Sequence, residues 1–223
     1  MLSNIVNLGP FSGFASLVKE FREFGYVVSF DKDSSIFDSY ETLKWFYILL
    51  DGKIKVFDIN FETNREQTLY LFVKGDMYDV VTLLDGKEHN LAVEVLEPGK
   101  AIRFPIQKVR EWMRESVEFE QLIYRYVANQ MRSVESLATD LSLYDTKERL
   151  LKLLLKNIET IEKRGVSLLD KLSHAEIANL IGTVRHIIDR HLKSLKKEGI
   201  IDIKNRKIEL KNAQKALDLL TSY

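Results

Sequence analysis

Cysteine is absent from the 223 residues. That excludes disulfides, thiolate catalysis, cysteine-ligated iron–sulfur centres and every zinc site that needs a thiolate. Long apolar runs are absent too. The longest, residues 45–50, falls far short of the roughly 20 residues that span a bilayer. The first basic side chain is Lys19, so residues 1–11 lack the charged start of a secretory leader. The expectation is a cytoplasmic protein with no membrane partner. There is no net charge: 33 Lys and Arg cancel 33 Asp and Glu, which excludes a uniformly basic coat. HExxH, GxSxG, GxGxxG and the phosphate-binding P-loop are all missing, and no nucleophile lies beside a base in any readable pattern. The reading is that the chain is not an enzyme.

The neutral total hides a split. Residues 146–223 carry 17 Lys and Arg against 10 Asp and Glu, while the preceding residues carry 16 against 23. An acidic first part and a basic second part suggest an anionic partner for the second; ordinary scatter is the alternative.

Residues 26–104 have the composition of short strands separated by turn residues. Tyr26–Phe30 is β-branched and aromatic, and residues 45–50 run into Asp51-Gly52. In 53–58, Ile54, Val56 and Asp58 alternate with Lys53, Lys55 and Phe57. A strand, Asp-Gly and an alternating strand predict a hairpin. Residues 68–73, 91–96 and 101–104 read as further strands, with turns at Gly75-Asp76 and Pro98-Gly99. Such spacing argues for a small barrel or jelly roll.

Pro105 ends the strand region, and 106–114 is helical in character. Val117–Leu143 then runs without Gly or Pro. Leu122, Tyr126, Asn129, Leu137 and Leu141 fall near one stripe, with Val134 beside it. The stripe suits either a dimer seam or packing on the chain's own barrel. Tyr144-Asp145 reads as a hinge, with Thr146 capping a helix over 147–161.

Ser173-His174-Ala175-Glu176 has the S-x-x-E form of a capping box, followed by Ile177, Leu180 and Ile181 at helical spacing. Gly182 sits where a tight turn needs a permissive residue. A second helix, about 183–197, places Ile187, Ile188, Leu192 and Leu195 on one side. Arg185, His186, Asp189, Arg190 and Lys193 share the other. This is a helix-turn-helix with a basic outer face; a solvated helix surface is the alternative. Residues 200–203 and 207–210, joined across Asn205-Arg206, would form a wing, and 212–221 a last helix. An arginine fork can grip guanine O6 and N7 or a phosphate, and lysine is mainly a phosphate point charge. His186 can donate to either. Asp189 lies four residues from both Arg185 and Lys193 and so can orient them. His186 and His191, five apart, point in different directions and make a poor metal pair.

The arrangement resembles the CRP/FNR family of bacterial transcription regulators across nearly the full chain. The resemblance rests on residues 47–56 (YILLDGKIKV) and 73–76 (VKGD) in the first part. In the second it rests on 172–181, Gly182-Thr183-Val184-Arg185 and 192–201 (LKSLKKEGII). It implies an α+β fold: an antiparallel, jelly-roll-like β-roll of the cyclic-nucleotide-binding type (1–116), a dimerisation helix and hinge (117–145), and a winged helix-turn-helix (146–223). It further implies a homodimer on a two-fold symmetric site in double-stranded DNA, with RNA polymerase as a partner. Arg185 and Arg190 match DNA-contacting basic positions, and His186 stands where the family often has a base-reading glutamate. Ser173 and Thr183 match positions that hold the DNA backbone.

Members that bind cyclic AMP carry a Gly-Glu pair and an Arg-Ser pair around the phosphate and ribose. Here the matching positions are Asp79-Val80 and His89-Asn90, and the polar pair that meets adenine falls at Val134-Glu135. A phosphate buried without its cation is costly, so cyclic AMP is not expected as the effector. Three readings of the switch stay open: an unknown effector, haem held through His89, or an effector-independent regulator whose roll is a protein-interaction module.

Overall fold

The computed structural model describes residues 18–204 and 207–221. Residues 1–11 and the wing turn Asn205-Arg206, both read above, lie outside them. Cα proximity divides the described chain into two compact bodies. One comprises the described residues up to Phe57 together with Tyr70–Ser133; the other comprises Asp58–Leu69 together with those from Val134 onward.

The first body is a β-roll. Its elements are α1 (Val18–Phe24), β1 (Tyr26–Phe30), α2 (Ser39–Thr42), β2 (Trp45–Leu49), β3 (Lys53–Asn60), β4 (Arg65–Phe72), β5 (Met77–Tyr78), α3 (Val80–Asp85), β6 (Ala92–Glu97) and β7 (Gly99–Pro105), with the end of β3 and the start of β4 falling in the second body. Helices α4 (Ile106–Glu115) and α5 (Val117–Leu143) follow. One sheet has the order β1-β7-β2-β5, the other β4-β3-β6.

The expected Asp51-Gly52 hairpin does not form. β2 pairs antiparallel with β7 and β5, whereas β3 pairs with β6 in the other sheet. The dipeptide is a corner between sheets. Gly52 has φ +82°, and a Cβ there would meet the Cα of Gly99 at 2.8 Å and Glu97 O at 2.9 Å. Pro98-Gly99 turns the same corner on the facing strand, between β6 and β7. Both β2 and the start of β3 are buried on both faces, so neither offers the solvated side that a two-stranded hairpin needs. For the same reason Lys53 and Lys55 lie inside. Their ammonium groups meet Glu97 at 2.8 Å and Glu94 at 2.7 Å on β6.

Apolar packing fills the space between and below the sheets. Phe30, Phe37, Tyr47, Phe72 and Tyr78 form one aromatic cluster. Phe21, Phe104, Trp112 and Phe119 form a second, with ring centroids 5.1–6.2 Å apart. Leu122 is 5% exposed within that second core, and the Tyr126 hydroxyl donates to Met77 O at 3.2 Å. Leu122 and Tyr126, placed on the long-helix stripe above, are therefore taken up by the roll. Besides Val117 and Leu143 at its two ends, the exposed apolar side chains of α5 lie on a neighbouring line: Tyr124, Met131, Val134 and Leu141. Their spacings of seven, three and seven are those of a heptad.

The second body contains α6 (Thr146–Arg164), α7 (His174–Leu180), α8 (Arg185–Lys197), β8 (Ile201–Lys204), β9 (Lys207–Leu210) and α9 (Ala213–Thr221). Thr146 does not cap α6. Asp145 does, accepting from Lys147 N at 2.7 Å and Glu148 N at 2.9 Å, while Glu148 reaches back to Asp145 N. The capping box is Asp-x-x-Glu, one residue earlier than expected. Between α6 and α7, buried Asn157 accepts from Leu168 N at 2.7 Å and Leu169 N at 3.2 Å, which satisfies an otherwise orphaned bend. β8 and β9 pair antiparallel as the wing.

Candidate nucleic-acid interface

Helix α7 starts at Ser173. Its hydroxyl accepts from Glu176 N at 3.2 Å, and Glu176 returns a bond to Ser173 N. Gly182 then takes φ +66°, a conformation that costs an L-residue with a side chain. Thr183 N donates back to Ala178 O at 2.9 Å, and the Arg149 guanidinium covers Ile181 O at 2.6 Å. The turn thus leaves its first helix with its last carbonyls paired. Val184 opens α8 without any side-chain cap, so the positive end of the helix stays available to an anion.

Helix α8 has two distinct sides. Ile188, Leu192 and Leu195 are at most 1% exposed, and Ile187 is half-buried. Arg185, His186, Asp189, Arg190 and Lys193 all lie exposed, and the structure brings these five together as one outward surface. Ser173 is exposed and Thr183 half-buried, each at the start of its helix segment. His191 does not belong to that surface. Its Nε2 lies 2.8 Å from Thr146 Oγ1, and burial, with Arg190 next to it, holds its pKa below the usual histidine value. A neutral His191 ties α8 to α6. At the wing, Asp202 pairs with Lys196 at 3.1 Å and Lys204 at 3.4 Å.

The other sequence-predicted positions lie in the roll. Asp79 is 5% exposed and caps α3: its Oδ1 accepts from Val81 N at 3.1 Å. Its Oδ2 accepts from Thr82 Oγ1 at 2.8 Å and lies 3.0 Å from His89 Nδ1. The far end of α3 is held by Arg110, which donates to Leu83 O at 2.8 Å and Thr82 O at 2.9 Å. Sequence reasoning missed Arg110. Val80 is buried, Asn90 exposed, and Val134 and Glu135 exposed on α5. Asp79 and His89 come together; Asn90 takes no part in their contact. Among the described residues no group of three His, Asp or Glu is placed to hold a metal ion.

The Asp79 hydrogen bond raises the His89 pKa against the opposing effect of burial. A histidine whose folded pKa exceeds its unfolded value, about 6.5, stabilises fully below that value and loses the contribution as pH rises through the folded pKa. The gap in Tm between the natural chain and His89→Ala should therefore be widest near pH 6 and close as the pH is raised. Thermal melts across a pH series check this. A gap that widened with pH would show that His89 is held in its neutral form.

Residues 148–215 match the Crp-like helix-turn-helix domain and residues 27–116 the cyclic nucleotide-binding domain. The chain belongs to the CRP/FNR family of transcription regulators. Over 187 residues, 82% of this chain and 83% of the relative, it is 26% identical to the global nitrogen regulator of a Nostoc species. It is 22% identical over 207 residues, 92% of this chain and 90% of the relative, to a CRP-like cAMP-activated global transcriptional regulator of Mycobacterium tuberculosis. Among solved structures, FixK2 from Bradyrhizobium japonicum superposes with a TM-score of 0.77 at 21% identity, covering 87% of this chain and 96% of that one. This CRP/FNR member is a DNA-binding transcription regulator with the roll, long helix and helix-turn-helix of its family, and its relatives are regulators, not enzymes. No described helix is long and apolar enough to cross a membrane.

Proposed function

We propose that this regulator acts in the cytoplasm as a homodimer on a two-fold symmetric promoter site, under an effector other than cyclic AMP. Residues 1–116 sense, 117–145 pair the chains and 146–223 read DNA. The observation that carries the reading is the outward row of α8 on a rigid base: Arg185, His186, Arg190 and Lys193 exposed, above buried Ile188, Leu192 and Leu195. Arg185 and His186 read base edges, Arg190 and Lys193 meet phosphates, and Ser173 and Thr183 hold the backbone. Two such helices, roughly 34 Å apart, fit successive major grooves. Pairing through Tyr124, Met131, Val134 and Leu141 sets that spacing, and RNA polymerase is the partner on the promoter.

Cyclic AMP is set aside on chemistry. Asp79 is a buried acid close to where a phosphate would sit, and its partner His89 is already committed to it. An incoming phosphate would meet the repulsion of the Asp79 carboxylate, and the position matching the family's phosphate-binding arginine is His89. Isothermal titration of cyclic AMP into the purified chain should give no binding heat at tens of micromolar ligand. Saturable heat would refute this part of the reading. The same Asp79–His89 pair favours a second reading, an effector-independent regulator whose roll serves a protein partner.

Selection of bound duplexes from a random pool, with the protein as purified and at one stated salt concentration, tests the whole. A two-fold symmetric motif supports a dimeric reader that needs no added ligand. Motifs without symmetry would refute the dimer, and no enrichment at all would mean either that an effector is needed or that the reading of α8 is wrong.

A further inference from the structure

Asp189 is a costly residue to place on a surface that meets phosphates, since its carboxylate repels them unless a cation covers it. Both of its oxygens are engaged. Oδ1 meets His174 Nδ1, from the first position of α7, and Oδ2 lies 3.7 Å from Arg185 Nε, one turn back on α8. His174, Asp189 and Arg185 therefore form one chain across two helices. Lys193, equally four residues from Asp189, has no ion-pair partner among the described residues. The side chains are open to solvent, Arg185 at 73% and Asp189 at 47%, so the chain contributes little to folding. What it constrains is the direction of the Arg185 fork. A bidentate contact to guanine requires that fork in one plane and one rotamer, and a side chain ordered beforehand loses less freedom on binding.

We propose that His174 and Asp189 are positioning residues that hold Arg185 in its reading rotamer, and so determine how sharply one base pair of the half-site is discriminated. The inference rests on the reading role given to Arg185 above. Asp189 itself reads no base.

The test uses the full chain. Affinities are measured for the selected site, for its three single-base variants at the position that Arg185→Ala flattens, and for unrelated duplex. Asp189→Ala should reduce base preference at that position roughly fivefold or more. It should also tighten binding to unrelated duplex, because a negative charge leaves the interface. His174→Ala should reduce the same preference and weaken binding to every duplex, since the acid is left partly uncovered. Asp189→Asn keeps one acceptor oxygen, which can face Arg185 or His174 but not both, and should restore part of the preference, which a merely structural role would not do. Thermal melts should stay within a few degrees throughout. If Asp189→Ala keeps the natural preference while Arg185→Ala flattens it, the positioning role is wrong and the reading role stands. If Arg185→Ala leaves every preference intact, both fall. Early melting with uniformly weak binding would make the chain of contacts a structural brace and overturn the proposal.

Discussion

Arg185→Ala should lower affinity for the selected site by about 1–3 kcal/mol, roughly five- to 150-fold, and erase the preference at one base pair of each half-site. The effect should be large because Arg185 is exposed at the uncapped start of α8, where a guanidinium can enter a groove without displacing any of the protein's own packing. Folding should be nearly untouched, since the side chain buries nothing. Lys193→Ala is the contrast. Its loss should weaken all duplexes alike and make affinity less sensitive to salt, by about one counterion. Fluorescence anisotropy at several salt concentrations separates the two. If Arg185→Ala instead behaved like Lys193→Ala, the guanidinium would be a phosphate contact and the base reader would lie elsewhere on α8.

Trp112→Ala should cost about 3–5 kcal/mol of stability. Trp112 is 2% exposed and touches Phe21, Phe24, Phe104 and Phe119, where α4 and the root of α5 close the lower core of the roll. Alanine would leave a void that three surrounding elements cannot collapse together. Trp112→Phe should cost less, about 1–2 kcal/mol. The indole N–H is buried with no hydrogen-bond partner, so its removal offsets part of the lost packing. Urea unfolding followed by circular dichroism gives both values. Equal losses for the two variants would mean that the ring system, not the void, sets the cost.

Periodic elements were legible from the residues. Tyr26–Phe30 and Val117–Leu143 stand where expected, because each is a long or strongly biased run with a breaker at its edge. The two sides of α8 were also legible, since 3.6-residue spacing alone sorts Ile188, Leu192 and Leu195 from Arg185, Asp189 and Lys193. Partnership between strands was not. Asp51-Gly52 has the chemistry of a hairpin, yet a tight turn fixes only the chain direction, and the neighbours of β2 are the distant strands β5 and β7. The α6 cap was displaced by one residue because Asp145 and Thr146 are both good caps; Glu148, three residues after Asp145, was the unused signal. The Asp79–His89 pair joins residues ten positions apart across a helix and a loop. The residues alone show two departures from the cyclic AMP pattern, and only the fold shows that the departures meet.

The two-sided build of α8 has a consequence for engineering. Packing rests on Ile188, Leu192 and Leu195, while His186, Arg190 and Lys193 bury little. Substitutions at such outward positions usually change stability by no more than about 0.5 kcal/mol. Those three sites can be randomised together in a combinatorial library with most members still folded, leaving the His174–Asp189–Arg185 linkage as the one part of the surface that must be redesigned as a unit. The helix is thus a recodable address label, replaceable without rebuilding the body that carries it.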